Sequence, residues 1–172
     1  DPSDAAYQSL PDGQTAPPLV IPITVTDAAG ATDTQNLTIT VTGTNDAALI
    51  SGVDAVTVSE DQAADKLHAS GRLSVSDADT GEAGFDLQSG LGSNGYGHFI
   101  LSPTGAWGYV ADNHQTAIQQ LGDGQPLTDS FEFHSKDGTT HTVTITIEGT
   151  NDAPTVSAAV TDQTTDQGQA FS

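Results

Sequence analysis

The sequence has no cysteine and no methionine, only three basic residues, and no apolar run near the roughly 20 residues of a membrane-spanning helix. Without cysteine there is no disulfide and no thiolate ligand. Metal chemistry must then run through oxygen, which favours hard cations over zinc. Lys66, Arg72 and Lys136 stand against 23 acidic residues, for a net charge of −20. A field of that sign repels phosphate and anionic lipid, so it argues against nucleic acid as a partner and against membrane insertion, while it concentrates cations. The N-terminus has neither the basic nor the apolar region of a signal peptide, and an export signal is expected outside this stretch.

What the sequence does contain is Thr, Val and Ile in short runs, broken by Gly, Asp and Asn, which predicts an all-β fold. It also repeats. GTNDA stands at 43–47 and again at 149–153, each copy after a strictly alternating strand: Leu37, Ile39 and Val41 among threonines, then Val143, Ile145 and Ile147 among threonines. Further upstream YQSLPDGQ at 7–14 echoes IQQLGDGQ at 118–125. The repeat divides the chain into the C-terminal part of one module (1–46), a complete module (47–154) and the start of a third (155–172).

A module of about 100 residues with short strands and frequent turn signals predicts an immunoglobulin-like antiparallel β-sandwich. Strands are expected near 53–59, 67–76, 85–91, 97–102, 106–111, 128–135 and 140–148, with a helical turn in 114–121. Phe99, Trp107, Tyr109, Phe131 and Phe133 are the expected core aromatics. The flanking pieces lack partner strands, and an isolated hairpin is marginal by itself.

Because antiparallel strands alternate in direction, the acidic loops sort to two ends of the sandwich. Asp77, Asp79 and Asp137 are expected near Asn45 and Asp46 at the upper end. At the lower end Glu60 is expected near Asn151 and Asp152, with Asp112 as a further candidate. Calcium takes 6–8 oxygens in irregular cages, and crowded carboxylates repel one another without a cation, so each cluster is a candidate Ca²⁺ site. The same residues are also ordinary turn formers, since Asp and Asn side chains hydrogen-bond nearby backbone.

The segments VTVSED (56–61), GRLSVSDADTGE (71–82), GxWGYVADN (105–113), IQQLGDGQ (118–125) and DSFEFHSKDGTTHTVTITIEGTNDAP (129–154) together resemble the VCBS repeat of large secreted bacterial proteins, including repeats-in-toxin adhesins. That resemblance implies an immunoglobulin-like or cadherin-like sandwich in tandem, secreted or held at the bacterial cell surface as a stalk in adhesion and biofilm formation. Its partners would be neighbouring modules of the same chain, with a cell-surface or matrix ligand engaged through other domains. There is also similarity to cadherin calcium joints, on Glu60, Asp77 with Asp79, Asp137, and Asn45 with Asp46. Ala48 departs from that pattern, standing where the second copy has Pro154. The stretch 154–172 resembles the opening strands of a different bacterial cadherin-like module.

No nucleophile elbow and no zinc-protease spacing occurs among the five histidines, so an enzyme is not expected. His134 and His141 are candidates to lie opposite each other on adjacent strands, as a solvated pair or a weak zinc site. A carbohydrate-binding face would draw on Tyr96, His98, Trp107 and Tyr109, although alternation assigns Trp107 and Tyr109 to the core.

Overall fold

A computed structural model describes residues 4–154 and 156–158, so the expectation for 155–172 falls largely outside the described residues. Ten strands, two short α-helical turns and one 3-10 turn follow one another along the described residues. A first hairpin, β1 (Leu19–Thr26) and β2 (Thr32–Ile39), pairs antiparallel with every residue exposed. The remaining strands build an all-β sandwich of a five-stranded and a three-stranded sheet.

The strand expected near 53–59 is β4 (Ala55–Ser59), and a strand outside every expected range, β3 (Leu49–Gly52), precedes it. β3 pairs antiparallel with β5 (Lys66–Ser76), whereas β4 crosses over and pairs parallel with β10 (Thr140–Glu148). Gly52 makes the crossing possible. Its φ of 136° suits glycine, and a Cβ there would stand 2.3 Å from the Arg72 carbonyl oxygen. The indole Nε1 of Trp107 donates to the Val53 carbonyl at 2.7 Å, satisfying backbone that the switch would otherwise leave unpaired.

β5 continues the larger sheet to β8 (Ala106–Asp112), β7 (Gly97–Leu101) and β6 (Gln88–Leu91), each antiparallel to its neighbour. The strand expected over 85–91 shortens to β6, with Phe85 making a single bridge to Ser135. On the other side β10 lies between β4 and β9 (Pro126–His134).

Alternation along these strands builds the core. Leu67, Leu73, Phe99, Leu101, Trp107, Tyr109 and Ala111 face Phe133, Val143, Ile145 and Ile147, all buried, with Phe131 half-buried against them. Full burial of one such large side chain contributes roughly 1.5–3 kcal/mol. The expected helical turn is α2 (Thr116–Gln119), which plugs Ile118 into the core with Leu121 beside it. A corresponding turn, α1 (Ala5–Gln8), precedes the first hairpin.

The register between β9 and β10 corrects the histidine expectation. His134 is opposite Thr140, and His141 is opposite Phe133. A displacement of one residue puts side chains on opposite faces, so the two imidazoles do not meet. His141 pairs instead with Asp54 at 3.1 Å.

Candidate metal centre

The upper site is built by the loop that follows β5. Asp77 Oδ1 accepts a hydrogen bond from the Asp79 amide at 2.8 Å, a turn that Asp side chains favour and that curls the loop inward. Asp77, Asp79 and Glu82 then each present a carboxylate oxygen, all within 4.8 Å of one another. Asp79 is 2 % exposed. Its Oδ2 accepts from the Asp46 amide at 2.8 Å, which fastens the 43–48 segment to the loop.

One oxygen of each acid has no partner. Asp77 Oδ2, Asp79 Oδ1 and Glu82 Oε2 are buried without a hydrogen-bond partner among the described residues. Burial of that kind is costly for a charged group unless a donor or a cation supplies the missing contact. The surrounding charge makes this explicit: burial first, then Asp79, Asp77, Asp137 and Asp12, push the Glu82 carboxyl above its ordinary value.

Asp137 lies at the same end and is differently supported. Its carboxylate accepts from the Ala48 amide at 2.9 Å, the Thr139 amide at 3.2 Å, and the Ser135 and Thr139 hydroxyls. Burial would raise its pKa, but those hydrogen bonds hold the carboxyl well below the usual carboxylate range. It remains an anion beside the three-acid cluster. Asn45 and the Asp46 side chain are exposed, and Asp46 joins the loop through its backbone.

At the lower end Glu60 is 3 % exposed and sits in the 3-10 turn Glu60–Gln62. Its Oε1 accepts from the Thr150 amide at 2.6 Å, and its Oε2 has no partner among the described residues. Asp61 accepts from the Thr150 hydroxyl at 2.7 Å. A hollow beside them is lined by Glu60, Asp61, Asn113, Gln119 and Asp152. Asn151 is exposed and its amide reaches the Asp152 carbonyl at 3.4 Å.

Asp112 is not brought to this group. The pleat of β8 turns Trp107, Tyr109 and Ala111 inward, which leaves Asp112 on the outer face. There the amide and ring of His114 bind its carboxylate and lower its pKa. The next residue, Asn113, is the buried one, and its Nδ2 donates to the Glu60 and Ala63 carbonyls at 2.8 Å each.

Four contributors escaped the reading of loops by strand direction: Glu82, Asp12, Asp61 and Asn113. Glu82 closes the same SDADTGE stretch as Asp77 and Asp79, and that shared loop is the signal that could have found it. Asp12 lies in another copy of the repeat, where a single-module argument does not look. Trp107 and Tyr109 are 3 % and 1 % exposed, so neither offers a stacking surface to a sugar.

The split first strand, the two packed sheets and the acidic end loops define a cadherin-like β-sandwich module. A family model for the bacterial cadherin-like domain matches residues 45–149, more than half of the chain, and the chain belongs to that family. No curated protein matches it. Domains of this kind are extracellular, adhesion-type modules, typically structural and without enzymatic activity, and they often bind calcium. Among the described residues no helix is long and apolar enough to cross a membrane.

Proposed function

We propose that this chain is a stretch of a bacterial adhesin stalk of the VCBS-repeat type, held at the cell surface or secreted, in which calcium stiffens the joints between successive modules. Residues 1–46 would be the C-terminal part of one such module, 47–154 a complete one, and 155–172 the start of a following cadherin-like module of a different kind. The role is mechanical, projecting a distal binding domain for adhesion and biofilm formation.

The observation that carries this reading is the set of three buried, unpartnered carboxylate oxygens on Asp77, Asp79 and Glu82, at the point where the 43–48 segment is fastened to the loop. A hard dication suits that donor set. It offers only oxygens, the charge is strongly negative, and the arrangement is irregular, which calcium tolerates better than magnesium does. Bound there it would relieve the mutual repulsion of the acids and fix the linker to the sandwich.

Binding to the folded state alone stabilises by mass action, by about 2.7 kcal/mol at a free concentration 100 times Kd. The melting temperature of the chain should therefore rise with Ca²⁺ and fall back on chelation, with the gain largely lost in Asp79→Asn. Small-angle scattering should show a longer, stiffer particle in calcium. Identical melting and identical scattering in calcium and in chelator would overturn the proposal.

A further inference from the structure

The two copies of the repeat do more than resemble each other in sequence: they build the same corner. In the first, the Gly13 amide donates to the Gly43 carbonyl at 3.2 Å and the Gly43 amide to the Gln14 carbonyl at 2.7 Å. The second shows Gly124 amide to Gly149 carbonyl at 3.0 Å and Gly149 amide to Gln125 carbonyl at 2.9 Å. Each corner follows a four-residue helical turn, Ala5–Gln8 or Thr116–Gln119. Both GTND glycines are sterically required, because a Cβ on Gly43 would lie 2.2 Å from the Leu10 carbonyl oxygen and one on Gly149 2.4 Å from Leu121 Cβ.

At the first corner a loop is already docked. The Thr80 amide, inside the Asp77–Glu82 loop, donates to the Ser9 carbonyl at 3.1 Å. Gln8 and Asp46 line one hollow together with Asp77 and Ala78. Asp12 is exposed on the Pro11–Gln14 turn of the same corner. At the second corner the corresponding positions are Gln119, Gln120, Asp123 and Asp152. Gln119 and Asp152 again line one hollow, here with Glu60, whose buried Oε2 has no partner among the described residues.

We propose that this second corner is the docking surface for a following module that carries a loop of the Asp77–Glu82 kind. The Gln120 carbonyl would receive the loop's backbone amide as Ser9 does, and Asp12 and Asp123, exposed on equivalent turns, would each add a carboxylate to the cation cluster at their corner. The two ends of the chain are complementary halves. The upper end supplies the acidic loop, and the lower end supplies the buried Glu60 and the Asp123 turn. Both Asp12 and Asp123 thereby join the joint, although neither belongs to the module whose loop they serve. The inference rests on the calcium reading above.

The test extends the chain by repeating residues 47–154 directly after Asp152, the counterpart of Asp46, which places an acidic loop against the second corner in the register of the first. Calorimetric titration with Ca²⁺ should show a second joint site of affinity similar to the first. Asp123→Asn should weaken that added site by about tenfold and leave the first unchanged, and Asp12→Asn should do the reverse. Asp123 is exposed, so its substitution should leave melting in chelator unaltered. If Asp12→Asn weakens the first site while Asp123→Asn leaves the added one intact, or if no second site forms, the docking proposal falls and the calcium reading survives. Absence of calcium binding at both joints removes both.

Discussion

Two aspartates of this sandwich, Asp129 and Asp79, are equally dry, at 0 % and 2 % exposure, yet they are served in opposite ways. Asp129 accepts five hydrogen bonds, from the amides of Asn94, Tyr96, Gly97 and Ser130 and the hydroxyl of Tyr109. The 92–97 loop wraps the carboxylate so closely that a Cβ on Gly92 would stand 2.1 Å from Oδ1. Among the described residues the Asp79 carboxylate has one such donor, the Asp46 amide, and beside it stand the acids Asp77 and Glu82. Burial alone therefore does not mark a cation site in this protein. The supply of donors does: a carboxylate ringed by N–H and O–H groups is a structural pin, and one ringed by carboxylates has a charge still to be met.

The largest effect that would break this contrast is at the pin. Asp129→Ala leaves several donors buried without an acceptor, and loss of one partner from a buried charged network costs about 3–5 kcal/mol. Urea unfolding should show that loss in full both with calcium and with chelator, because the pin has no part in the cation site. A calcium-dependent deficit would instead mean that the two aspartates belong to one network. Next in size is Asp79→Asn, whose amide oxygen can still accept from the Asp46 amide. It should cost little in chelator and remove about 1–3 kcal/mol of calcium-dependent stability.

Much of this was legible in the sequence. The alternation of Val143, Ile145 and Ile147 and of Phe131 and Phe133 placed the inner faces, and strand direction brought Asp77, Asp79 and Asp137 to one end with the 43–48 segment. The same period of two also puts Asp129 on the inner face with Phe131 and Phe133. An inward Asp opposite a Gly-rich loop is a readable signal for such a pin. What could not be read was register and local crossing. The His134–His141 pairing failed by one residue, and β3 went unforeseen because the chain changes sheet at Val53–Asp54, where Trp107 holds the crossover from a distance of 54 positions. Contacts between copies of the repeat, such as Thr80 with Ser9, depend on how one corner meets the next loop, and no periodicity encodes that.

The smallest of the expected effects separates the pin from the cluster by pH. Burial first, then the Asp129 charge and its hydrogen bond, push the Tyr109 phenol well above its ordinary value. An acid whose folded pKa is raised keeps its proton in the native state after the unfolded chain has begun to lose it, above about pH 10. The stability that Tyr109 contributes is therefore complete below that pH and declines as pH rises through its folded value. Tyr109→Phe removes one hydrogen bond to a charged acceptor, which should cost about 1.5–2 kcal/mol at neutral pH, and it should also flatten the alkaline decline. The two curves should converge as pH rises above 10. Parallel curves would show that the phenol is not the group holding its proton there, and that the Asp129 network is supported by its backbone donors alone.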